Sequence, residues 1–84
     1  MGLDSVVIIL DAEKKFGIDI VVPDRSIVTA GDFYASIVAC LARKGPVDID
    51  EVWREVTIIL GRAVRKEPGS IRMEHRLYED LGLN

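Results

Sequence analysis

Cysteine and histidine are nearly absent from this chain, each occurring once, as Cys40 and His75. One cysteine makes no intrachain disulfide, and one of each cannot build a His/Cys zinc cluster. A carboxylate-only Mg²⁺ site stays open on composition, but no spacing points to one, so no metal is expected. Long apolar runs are missing too. The longest, Val6 to Leu10, is far too short to span a bilayer. The first residues lack the basic segment and small-residue cleavage site of a signal peptide, so the expected compartment is the cytoplasm. Cations are in slight deficit: 11 against 14 acids, a net charge of −3. Residues 1–42 carry six acids and three bases, whereas residues 43–84 balance eight against eight. An acidic half joined to a neutral half does not suggest a nucleic-acid binder. What the chain does have is apolar content, 49% of its 84 residues. That is the composition of one folded domain with little area to spare for a deep catalytic cleft.

The periodicity is helical. Leu3 to Phe16 forms a first helix by length, capped by Asp4 or Ser5 and stopped by Gly17. Its spacing sends Val6, Ile9, Leu10 and Phe16 to the core and leaves Val7 and Ile8 partly off it. Ile18 to Val22 is extended or looped, and Pro23 to Val28 has room for one helical turn anchored by Ile27 and Val28. Thr29-Ala-Gly-Asp32 is a capping box with Asp in the third position. It opens a helix to about Arg43, with Phe33, Ile37, Cys40 and Leu41 as its apolar stripe and Gly45-Pro46 as its end. Asp48 with Glu51 caps the strongest amphipathic segment. Ile49, Val52, Trp53, Val56, Ile59, Leu60, Ala63 and Val64 recur there at three-and-four spacing. Glu67-Pro-Gly-Ser70 breaks it. The rest is loop, tied down by Ile71, Leu77, Tyr78, Leu81 and Leu83. The expected fold is all-α: a small four-helix bundle of three main helices and one short one.

No enzyme constellation stands out. Glu74 and His75 are sequence neighbours on a loop, which rarely makes a catalytic pair. Cys40 lies on a core stripe, as a structural thiol does. Trp53 belongs to the core face. Arg62, Arg65 and Lys66 sit in the last turns of their helix, where the dipole favours cations, and form a solvated basic face with Arg72 and Arg76.

Several stretches resemble the acyl carrier protein family, whose members carry a phosphopantetheine arm on a serine. Leu3-Asp4-Ser5-Val6, followed by Glu13-Lys-Lys-Phe16-Gly17-Ile18-Asp19-Ile20, is similar to the family's second helix, written Asp-Ser-Leu-Asp-Ser-Val and then Phe-Gly-Ile-Glu-Ile. Ser26 to Phe33 looks like its short third helix and the Thr-x-x-Asp start of its last. Arg76-Leu77-Tyr78-Glu79-Asp80-Leu81-Gly82-Leu83 looks like the end of the long loop leading to the carrier serine. Residues 2–44 thus resemble family helices two to four, and residues 47–84 resemble helix one and its loop. The order is exchanged, as in a circular permutation within a single domain spanning 1–84. Joining Asn84 to Gly2 restores the family's line.

In the family, the carrier serine stands about fourteen residues before the Phe of Phe-Gly-Ile, a distance set by their common helix. Ser5 lies only eleven before Phe16, and fourteen lands on Gly2, which has no hydroxyl. Asn84 stands where the family usually has Asp. The resemblance therefore implies a carrier-like docking or scaffold domain without its prosthetic group. The alternative keeps a working carrier with phosphopantetheine on Ser5, and a further one is a small helical dimerisation or regulatory protein unrelated to acyl transfer. By resemblance, the partners are acyl-chain biosynthetic enzymes, met through Asp4, Val7, Ile8 and Asp11 on the first helix. Lys14-Lys15 replace the family's acids there and put the usual basic partners in doubt. The short joint from Lys44 to Val47 also permits a domain-swapped homodimer.

Overall fold

The computed structural model describes residues 3–20 and 27–83, with the side chains of residues 3–6 outside that description. Gly2, Asn84, the helical turn expected after Pro23, and the side chains of Asp4, Ser5 and Val6 therefore lie outside the described residues. Within them the chain is all-α: α1 (Leu3–Phe16), α2 (Ala30–Ala42) and α3 (Ile49–Val64), followed by a single 3-10 turn at Pro68–Ser70. One isolated antiparallel bridge, between Thr29 and Arg76, is the extent of β pairing among the described residues.

α3 is the central element. It packs against α1, against α2 and against the 3-10 turn. Val52, Val56, Ile59 and Leu60 face inward, as their spacing requires, while Ile49 in its first turn is exposed. Asp48 accepts from the Glu51 amide at 3.2 Å, satisfying one of the free donors of the first turn. The helix stops at Arg65, which adopts the left-handed conformation with φ 58°. Its amide and that of Lys66 both donate to the Gly61 carbonyl. The chain then doubles back over Gly61, where a Cβ would stand 2.7 Å from the Lys66 carbonyl oxygen. Only glycine permits so close a crossing.

α2 opens with the full capping box. Thr29 Oγ1 accepts from the Asp32 amide at 3.0 Å, and Asp32 Oδ2 accepts from the Thr29 and Val28 amides at 3.1 and 3.0 Å. Phe33 and Ile37 are fully buried, with Tyr34, Val38, Cys40 and Leu41 packed half-buried around them. Tyr34 meets Trp53 of α3 edge to face, ring centroids 5.5 Å apart.

α1 ends at Gly17, with φ +64°, and the Ile18 amide donates back to the Glu13 carbonyl at 3.2 Å. This six-to-one closure is the Schellman motif, completed by burial of Ile18. The carboxylate of Glu13 accepts from the Ile20 amide at 2.8 Å, tying residues 18–20 to α1 with Ile18 and Ile20 buried. The rotation of α1 corrects the sequence expectation. Ile8 and Ala12 are buried, Ile9 and Phe16 are half-buried, and Leu10 is 57% exposed. Two residues along a helix turn by about 200°, so a helix that buries Ile8 must expose Leu10. The register buries the small Ala12 completely, which a reading weighted toward bulk does not anticipate.

The tail is folded in. Ile71, Leu77, Leu81 and Leu83 are buried, whereas Tyr78 is exposed, as is Val28. The His75 and Met73 carbonyls accept from the Ala30 and Gly31 amides, both at 2.9 Å, and the Leu77 amide donates to the Val28 carbonyl at 2.9 Å. The tail thereby supplies acceptors to first-turn amides of α2 that have no partner within the helix. A Cβ on Gly31 would lie 3.1 Å from the Met73 oxygen, so a side chain there would require the tail to give by a few tenths of an ångström.

Candidate functional site

The candidate site is the outer face of α1. Val7, Leu10, Asp11 and Lys14 follow the three-and-four spacing of one helix face. All four are exposed. They line an open groove of about 800 Å³ together with Glu13, Gly17, Ile18, Asp19 and Lys44. Local structure builds its far end. The Schellman turn brings Gly17 and Ile18 back beside the helix, and the Lys44 ammonium, arriving from the end of α2, donates to the Gly17 carbonyl. The Asp19 carbonyl accepts from the Cys40 thiol at 3.6 Å, which ties the same segment to α2. The groove therefore has an apolar knob at one end, in Val7 and Leu10. Its other end is lined by Lys14, Lys44 and the buried Ile18.

Of the docking residues expected from sequence, the structure brings Val7 and Asp11 together on this face. Ile8 is not part of it: at 2% exposure it is a core residue and offers nothing to a partner. Asp4 and the two candidate attachment positions, Ser5 and Gly2, lie outside the described residues. Leu10, Lys14 and Lys44 belong to the face but were not expected there. Leu10 and Lys14 could have been found, since each sits three residues from a residue already assigned to it. Lys44 could not, because it arrives through the tertiary course of the chain.

The other reactive side chains have structural work. His75 Nδ1 accepts from the Arg72 amide at 3.1 Å while its own amide donates to the Arg72 carbonyl, which closes the turn beneath the bridge to α2. Arg76 pairs with Glu79, three residues on. Lys15 of α1 meets Glu55 of α3 at 3.3 Å. The two amides bonded to Asp32, with its Thr29 contacts foremost, hold its carboxyl below the usual 3.8. Arg62, Arg65 and Lys66 line a separate surface depression with Glu67. Among the described residues, no three His, Cys, Asp or Glu side chains converge as a metal site would require, and no helix is long and apolar enough to cross a membrane. What this geometry can do chemically is bind another surface, because apolar contacts and both signs of charge are exposed on one rigid helix face. Compared with protein-family models, curated proteins and solved structures, the chain gives no match.

Proposed function

We propose that this chain is a small docking module of acyl-carrier type in permuted order, without the phosphopantetheine arm. The observation that carries the reading is the behaviour of the tail. Here residues 71–83 are secured like an internal loop, by four buried aliphatic side chains and by backbone bonds to the start of α2. Leu83 joins the same hydrophobic cluster as Ile8 and Ala12 of α1. A loop that once led from α3 into α1 would be secured in this way. The Schellman turn at Phe16-Gly17-Ile18 and the Thr29–Asp32 capping box lie at the two other stretches that carry the resemblance.

With Gly2 at the attachment register, nothing there can form the phosphodiester to phosphopantetheine. What such a module retains is its surface, and the α1 face with Val7, Leu10, Asp11 and Lys14 is the surface it offers. The competing reading is a working carrier with the arm on Ser5. Incubation with a phosphopantetheinyl transferase and coenzyme A decides between them by intact mass. The expected result is no gain. A gain of one phosphopantetheine that Ser5→Ala abolishes would overturn the armless reading.

A further inference from the structure

We propose that the α1 groove takes a second copy of this chain, the two α1 helices lying antiparallel about a twofold axis midway between Asp11 and Lys14. The proposal rests on the reading of α1 as the docking face and names the partner. In a twofold interface, whatever residue i meets on residue j, residue j must meet on residue i. The charged middle of the groove satisfies that condition. Asp11 and Lys14 are exposed neighbours one turn apart on the lining. An antiparallel pair centred between them sets each Asp11 against Lys14 of the second copy, giving two ion pairs from one arrangement. Leu10 lies within one turn of that centre, so the same arrangement covers the exposed Leu10 of each chain.

Charge separates this occupant from an unrelated partner. A face built for a basic surface would be acidic, and one built for an acidic surface would be basic. This face exposes one acid and one base in succession at its middle. Of the other ionic groups on the lining, the Glu13 carboxylate accepts from the Ile20 amide and the Lys44 ammonium donates to the Gly17 carbonyl, while Asp19 adds a further acid. Val7 and Leu10, 46% and 57% exposed, are two of the large apolar residues left in solvent, and they are adjacent on one helix face.

Sedimentation equilibrium of the full chain over a concentration series tests this. The expected result is a monomer–dimer equilibrium that Leu10→Lys weakens by roughly tenfold to a hundredfold in Kd, the range for removing one buried leucine from an interface. Asp11→Lys alone and Lys14→Asp alone should each be monomeric, since each sets like charges together. Mixed in equal amounts they should form a heterodimer, because every facing pair is then opposite in sign. Circular dichroism and Tm of each variant establish that it is folded, as exposed substitutions should leave it. A monomeric wild type, a dimer indifferent to Leu10→Lys (as a swapped dimer of halves would be), or a mixture that stays monomeric would each overturn the proposal. A monomeric wild type with no phosphopantetheine gain leaves the docking reading standing without this partner, whereas a gain on Ser5 sinks the armless reading alone.

Discussion

Gly61→Ala sets two effects of known size against each other. Gly61 lies in the last turn of α3, where alanine is worth about 1 kcal/mol more than glycine by helix propensity. On propensity alone the substitution should stabilise. The added Cβ, however, would meet the Lys66 carbonyl oxygen at 2.7 Å and the Pro68 nitrogen at 3.5 Å, and both are backbone. To reach ordinary contact the carbonyl must retreat by roughly 0.7 Å. The Lys66 amide is bonded at 3.0 Å to the carbonyl of Gly61 itself, so the retreat strains the bond that closes the helix. Overpacking of this kind costs about 1–3 kcal/mol. The weakened bond adds about 0.5–1.5 kcal/mol. Steric cost outweighs propensity, and the net is a loss of about 2 kcal/mol, or roughly 8–16 °C in Tm for a domain of this size. Thermal and urea unfolding measure it directly. Gly69→Ala, which meets nothing within 4 Å, serves as the control and should change stability by less than about 1 kcal/mol. A Gly61→Ala protein as stable as the wild type would refute the crossing of residues 66–68 over α3.

Asp32→Ala should cost about 0.5–2 kcal/mol near neutral pH, because two amides lose their acceptor. The folded-state pKa of Asp32 is lowered, so its contribution is complete above the ordinary value of 3.8 and fades as pH falls below it. The gap in urea midpoint between wild type and Asp32→Ala should therefore narrow in acid, and a gap that widens would contradict the cap. Leu77→Ala removes a side chain 2% exposed and should cost about 2–5 kcal/mol. Hydrogen exchange would then show the Ala30 and Gly31 amides losing protection ahead of those in the middle of α3, since the tail supplies their acceptors.

The three helices were legible in the sequence because their boundaries are written locally. Gly17 supplies the left-handed turn after α1, Thr29 and Asp32 the box before α2, and Asp48 the cap of α3. The core face of α3 was also legible, its apolar positions repeating over four turns. The face of α1 was not. Four adjacent aliphatics, Val7 to Leu10, fit more than one rotation, and the one adopted buries Ile8 and Ala12 in a core completed by residues far away in sequence. Arg65 at positive φ carried no signal either, because arginine gives no hint of a left-handed cap. Half of the candidate face was readable from helical spacing. The rest of it is made by the Gly17 turn and by Lys44, which only the folded chain brings together.

The bonds that complete the first turn of α2 join residues more than forty apart, Ala30 to His75 and Gly31 to Met73. This separation has a consequence for how the protein is made. During synthesis α1 and α2 leave the ribosome before the acceptors for those two amides, which are translated more than forty residues later. Until Met73 to Leu77 emerge, α2 begins with bare donors and the core lacks Leu77, Leu81 and Leu83. Closing so long a loop precedes the contacts that stabilise it, which slows folding relative to a bundle of sequential hairpins. The domain therefore folds only after Met73 to Leu83 have emerged, and a nascent chain stopped before Met73 should remain sensitive to protease while the 84-residue chain resists it.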